Sequence, residues 1–220
     1  MPTSSHSPNS LPDFGQTSYS GNADPFNEIV PVNAPMNIHY SGKNIHLSQG
    51  ASKSAITMIN YFRKPSIARR LIGRKVLELG CGTGLAGISA IMQGAHVDFT
   101  DQSIVVGLLE SNVKNNLDPD QLENARFAEL QWHDNNCDHH LVKNKYDYLI
   151  AADVVYARES IAPIVETLEK FSREDTIIFL AYVHRFPWAE EFFEQMDEKF
   201  NRKLIEYSEG VWLFQFNQST

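Results

Sequence analysis

Cysteine is scarce: only Cys81 and Cys137 occur in 220 residues. Two thiols cannot build a disulfide scaffold, which excludes the small stapled folds and makes a reducing compartment the simplest setting. Long apolar runs are missing as well, since none approaches the roughly 18 residues that cross a bilayer. The opening Met1-Pro-Thr-Ser-Ser-His has neither the basic nor the apolar stretch of a secretory signal. The expected setting is the cytoplasm, with the nucleus also open, and no membrane partner is expected. Positive charge is in short supply: 19 Lys and Arg face 27 Asp and Glu, for a formal charge of −8. Proteins that hold nucleic acid by its phosphates are usually basic, so that class recedes.

What the chain does have is a core. Hydrophobic residues make up 42% and charged residues 21%, the balance of a globular domain. The first 36 residues differ, holding six of the ten prolines together with many Ser and Asn. Such a stretch buries too little apolar surface to offset its ordering entropy, so residues 1–36 are expected to be a flexible tail and 37–220 the domain. Ile38 and Tyr40, then Ile45 and Leu47, flank the turn-rich Ser41-Gly42-Lys43-Asn44 and predict a β-hairpin. Ile56, Ile59 and Phe62 recur at helical spacing and predict a helix ending near Pro65. From Lys75 onward strands and helices alternate. Strands are predicted over 76–79, 95–100, 126–130, 146–151 and 176–181, with helices from the glycine turn to Met92, over 104–113 and from Ser160 to about 171, and a polar connection between the third and fourth strands. Pro163 is harmless in the first turn of a helix opening at Ser160. Trp188, Phe192, Met196 and Phe200 mark a further helix with one apolar face. Two last strands, near 204–207 and 211–216, form an antiparallel edge. Repeated β-α units imply an α/β fold: a Rossmann-like, seven-stranded, mostly parallel sheet with helices on both faces, preceded by the hairpin.

The most informative segment is Val76-Leu-Glu-Leu-Gly-Cys-Gly-Thr-Gly-Leu-Ala-Gly87. A strand runs into glycines at 80, 82, 84 and 87 and then into a helix, which is how an open α/β sheet cradles a nucleotide-like cofactor. Gly82 to Gly87 satisfies the dinucleotide pattern G-x-G-x-x-G; read from Gly80, the same residues are the E-x-G-x-G-x-G of class I methyltransferases. Asp101, about 20 residues on, suits the ribose hydroxyls of either cofactor. Glu78 is the discriminator, because it offers a carboxylate to a cationic amino-acid moiety, which S-adenosylmethionine has and NAD lacks.

Two further segments, Leu130-Gln131-Trp132 and Ala151-Ala152-Asp153-Val154-Val155-Tyr156, complete a recognisable set. With the glycine loop and Asp101 they resemble family 16 of the class I methyltransferases, whose protein-lysine members carry a D-x-x-Y motif. The resemblance runs from about Asn37 to about Phe216. It is strongest to the small lysine methyltransferases that act on chaperones and elongation factors. It implies S-adenosylmethionine as cofactor, held by Glu78, by Gly80, Cys81, Gly82 and Gly84 in the loop, by Asp101 at the ribose, Trp132 against the adenine, and Ala152. It also implies that Asp153 and Tyr156 face the acceptor amine and that the partner is a protein substrate; a monomer is expected. One departure is visible: Ser52 stands where the family usually has a Trp that touches the cofactor. Same-fold transfer to histidine, an N-terminal amine or a small molecule stays open, as does a catalytically silent cofactor-binding adaptor. A nicotinamide-dependent dehydrogenase has only the glycine overlap in its favour.

The run His133-Asp134-Asn135-Asn136-Cys137-Asp138-His139-His140 invites a metal reading, but its spacing matches no common zinc motif, and a solvated loop is expected. Cys81 is expected to be a packing residue. The basic positions Arg63, Lys64, Arg69, Arg70, Arg74 and Lys75 are expected to form a solvated face, with contact to an acidic protein as the alternative.

Overall fold

In the computed structural model the described residues are 35–132 and 139–219. The expectations for the tail before residue 35, and for most of the histidine-rich run with Cys137, lie outside them.

The chain opens with the hairpin β1 (Met36–Tyr40) and β2 (Lys43–Leu47), whose two-residue turn is Ser41-Gly42. Both turn residues have positive φ, 48° and 83°. That is the primed turn that matches strand twist, and it is why a glycine sits at the second position. Then come α1 (Lys53–Phe62), α2 (Pro65–Leu71), β3 (Lys75–Leu79), α3 (Leu85–Met92), β4 (His96–Asp101), α4 (Ser103–Asn116), the one-turn α5 (Pro119–Leu122), β5 (Ala125–Glu129), α6 (His139–Lys143) and β6 (Tyr148–Ala152). The remaining elements are α7 (Ile161–Phe171), β7 (Ile177–Val183), α8 (Glu190–Lys199), β8 (Phe200–Ser208) and β9 (Val211–Gln218). The seven-stranded sheet has the order β5-β4-β3-β6-β7-β9-β8. Its first five strands pair in parallel; β9 pairs antiparallel with both β7 and β8.

The sheet divides two apolar cores, because successive residues of a strand face opposite sides. Val76, Phe99, Ile150 and Phe179 point to the side of α1 and α3, where Met58, Phe62 and Ile88 meet them. Leu77, Leu149, Ile178 and Phe214 point to the side of α7 and α8, against Leu168 and Phe192. Strands buried on both faces read as continuous apolar runs, which is how Val76-Leu-Glu-Leu79 looks apart from Glu78.

The first helix stops ahead of Pro65, as expected, with Arg63 as its C-cap; Pro65 then opens a second helix, α2, that was not foreseen, at its first position, where a missing N–H costs nothing. Phe200 does not extend the α8 stripe but begins β8, and Trp188 lies in the 3-10 turn Pro187–Ala189 ahead of α8. Within the basic run, Lys64 pairs with Glu206 and Arg74 with Asp147, as expected of a solvated face. Ser52 caps α1, its hydroxyl accepting the Ala55 N–H at 3.1 Å.

The hairpin is tied to the body through Asn112 of α4, which is fully buried. Its Oδ1 accepts the Ser48 N–H at 3.1 Å and the Ser48 hydroxyl at 2.7 Å, while its Nδ2 donates to the Thr83 carbonyl at 3.1 Å. Asn112→Leu would leave the Ser48 N–H and the Thr83 carbonyl unpaired, at a cost of about 3 kcal/mol. Urea denaturation of the variant is expected to show a lowered midpoint with an unchanged slope.

Candidate active site

Parallel α/β sheets bind ligands where the strand order reverses, at the carboxyl ends of the strands. Here that point lies between β3 and β6. A cleft of about 550 Å³ opens there, within the range of small-molecule sites. Six of the residues singled out from the sequence line it: Gly80, Gly82, Asp101, Trp132, Asp153 and Tyr156.

The glycine loop sets the floor. Gly80 has φ +60°, and a Cβ built on it would lie 2.9 Å from Trp132 Cζ2 and 3.0 Å from Val154 Cγ1. Only glycine lets the backbone pass under the indole. Asp101, at the end of β4, holds the loop in place: its Oδ2 accepts the Gly82 N–H at 2.8 Å and its Oδ1 accepts the Gln102 N–H at 2.7 Å. Each carboxylate oxygen keeps a further acceptor position. Trp132 is fixed from behind, its carbonyl accepting the Thr167 hydroxyl at 2.7 Å, and its ring lies 6.2 Å from that of Tyr156 at an angle of 56°. Tyr156 is half exposed at the mouth; burial, helped by the Asp101 charge, raises its phenol pKa, so it stays protonated.

Four of the selected residues do not line the cleft. Glu78 is buried beneath the loop, and its Oε2 accepts the Gly87 N–H at 2.9 Å. Gly87 is required there, because a Cβ would sit 2.4 Å from that oxygen and 2.2 Å from Phe99. Burial pushes the Glu78 carboxyl up to about 8, against the lowering effect of the Gly87 bond. Cys81 turns its thiol into the core, where burial raises its pKa well above the usual value, and its N–H donates to the Thr100 carbonyl at 3.1 Å. A thiol that keeps its proton is no nucleophile. Gly84 precedes α3 against Leu109, and Ala152 ends β6 beside Ala181 of β7.

Asp153 follows β6 with φ +67°, left-handed backbone that Asp tolerates better than most residues. Its carboxylate is gripped at both oxygens by Arg185, which donates from Nη1 at 2.6 Å and from Nη2 at 2.8 Å. The two side chains are 17% and 16% exposed, so this is not a water-washed surface pair. Sequence reading missed Arg185 because it lies 32 residues downstream with no local motif. It likewise missed Gln102, Gln131, Glu159 and Ser160, which also line the cleft. Gln102 and Gln131 immediately follow Asp101 and Leu130, so their adjacency to strand ends was the available signal.

Comparison with known proteins decides among the cofactor classes. The family model described as lysine methyltransferase matches residues 33–199. The chain belongs to the lysine methyltransferase family. Among relatives, the Danio rerio "Protein N-lysine methyltransferase METTL21A" is 34% identical over 137 residues, covering 62% of each chain. The Mus musculus "EEF1A lysine methyltransferase 3" is 30% identical over 172 residues, covering 77% of this chain and 71% of that protein. A Thermus thermophilus 16S rRNA N2 G1207 methyltransferase, solved with AdoMet and guanosine, superposes with a TM-score of 0.63 at 13% identity, covering 84% of this chain and 50% of that one. A Synechocystis magnesium protoporphyrin IX methyltransferase with bound SAM gives 0.53 at 17% identity, covering 76% and 79%. These two show the fold. Membership gives this lysine methyltransferase its reaction class, S-adenosylmethionine-dependent methylation of a protein lysine. The dehydrogenase reading of the glycine loop is set aside.

The cleft of this methyltransferase fits that cofactor. Gly80 leaves open a space that a Cβ would fill against Trp132, and Asp101 offers oxygens at the carboxyl end of β4. Gly80→Ala is expected to displace the Trp132 indole and weaken S-adenosylhomocysteine binding about tenfold, read by calorimetry, equivalent to about 1.4 kcal/mol.

Proposed function

We propose that the cleft holds S-adenosylmethionine between the glycine loop and Trp132, and that a lysine side chain of a protein substrate enters past Tyr156 toward Asp153. The observation that carries this reading is the convergence on one cleft of Asp101 and Trp132 with Asp153 and Tyr156, from the ends of β4, β5 and β6. The bound cofactor supplies a sulfonium methyl that is already activated, so the chain's residues position and desolvate the acceptor. Gly80 and Gly82 bring backbone to the cofactor, Asp101 accepts from its ribose hydroxyls, and Trp132 covers its adenine. Glu78 acts through the loop it props from below at Gly87. Asp153 orients the acceptor amine by accepting one of its hydrogens, and Tyr156 walls the entrance. A free lysine amine has a pKa of about 10.4, so an entrance walled by Trp132 and Tyr156, which disfavours the ammonium, aids attack.

A relative named as an EEF1A lysine methyltransferase supports a protein substrate. We take a translation factor or a chaperone as the substrate, acted on by a monomer in the cytoplasm, where the unpaired, buried Cys81 is at home. Among the described residues no helix is long and apolar enough to cross a membrane. Incubating the protein with labelled S-adenosylmethionine in a cell lysate is expected to label one protein band, whose mass spectrum shows methylated lysine. Label on histidine or an N-terminal amine would reassign the acceptor, and label on no protein would remove the reading.

A further inference from the structure

Asp153 faces a difficulty in the role just given. A bare, partly buried carboxylate beside the entry path would hold the acceptor as an ammonium, the form that cannot attack, since an opposite charge nearby favours the charged state. Arg185 answers it. Its guanidinium binds both Asp153 oxygens in the two-pronged geometry that is strongest for such pairs, at 2.6 and 2.8 Å. Asp153 lines the cleft, whereas Arg185 is not among the residues of its wall. Among the described residues the other cleft acids have no such partner: Asp101 accepts from the backbone N–H groups of Gly82 and Gln102, and Glu159 forms no ion pair.

We infer that Arg185 is a positioning residue for the acceptor. By neutralising Asp153 from behind the cleft it turns that side chain from an ion-pair partner into a hydrogen-bond acceptor for an uncharged amine. A carboxylate oxygen engaged once still has a lone-pair position free, so the amine can donate to Asp153 while Arg185 stays in place. The paired guanidinium also fixes the direction of the carboxylate on its left-handed backbone. This inference rests on the methyltransferase reading of the cleft, and it concerns which protonation state of the acceptor the site prefers.

The test needs no turnover. Protein saturated with S-adenosylhomocysteine is titrated with n-butylamine at neutral pH, as a probe for a lysine side chain, and with n-butanol as its uncharged control. Binding is followed at the Trp132 indole N–H by NMR. Arg185→Gln keeps one donor to Asp153 but loses the charge; it is expected to bind butylammonium on the order of tenfold more tightly than wild type, with butanol unchanged. Arg185→Lys keeps the charge and loses the two-pronged contact; its butylammonium affinity is expected to match wild type. Equal butylammonium affinity in Arg185→Gln and wild type would overturn the inference, and so would equal tightening in Arg185→Lys. If Arg185→Gln does not fold, Arg185→Met carries the same comparison. Failure of the methyltransferase reading looks different: S-adenosylhomocysteine would then leave the Trp132 signal of the wild type unmoved.

Discussion

Asp153→Asn is expected to lower methyl transfer about a hundredfold or more while leaving S-adenosylhomocysteine affinity intact, because it changes the acceptor side of the cleft and not the loop. Asn is the informative substitution for two reasons. It tolerates the left-handed backbone at φ +67°, and its amide oxygen still accepts from Arg185. Asp153→Ala removes the same carboxylate but adds a backbone penalty of about 1 kcal/mol and takes both Asp153 hydrogen bonds from a largely buried guanidinium. Both variants should therefore lose transfer, and the Ala variant the more melting temperature, since Asn keeps one hydrogen bond from Arg185. Radiolabel transfer, calorimetry and thermal melting on the two variants separate these effects. Near-normal turnover in Asp153→Asn would remove Asp153 from the acceptor site.

Glu78→Gln should abolish a pH dependence of stability that the cofactor-free wild type shows. The folded state holds the Glu78 proton up to about pH 8, whereas an unfolded glutamate releases it near its ordinary value of 4.5. Between those values the unfolded state binds fewer protons, so stability falls as pH rises. The slope from this one group is at most about 1.4 kcal/mol per pH unit. Below pH 4.5 the effect is absent, and above 8 it is complete. Gln keeps an oxygen for the Gly87 N–H at nearly the same shape and carries no charge. The variant's advantage over wild type in urea midpoint should therefore be small at pH 5 and large at pH 8. An advantage independent of pH would mean that Glu78 ionises freely in the folded protein.

The parts of the fold that were legible in the sequence are those whose physics is local. The Ser41-Gly42 turn, the two-sided apolar strands from Val76 onward and the glycine run each announce themselves within a few residues. The cleft was legible where residues close a strand: Asp101 ends β4, while Trp132 and Asp153 follow β5 and β6, and all three line it. Glu78, placed by its spacing to Gly80, accepts the Gly87 N–H at the start of α3 and does not line the cleft, a partner its spacing does not announce. Arg185 was invisible because its meeting with Asp153 depends on β6 and β7 being neighbours in the sheet, a fact of topology and not of spacing. The second helix that Pro65 opens was not legible, since proline opens helices as readily as it stops them, and Phe200 begins β8 where a helix face was expected, since an aromatic residue suits a strand as well as a helix.

Asn112 reaches the amino-terminal hairpin with one end of its amide and the cofactor loop with the other. A truncation or fusion that peels residues 36–48 off the body would thus masquerade as a lesion in donor affinity, although none of those residues borders the cleft. Engineers trimming the front of this enzyme should keep Ser48.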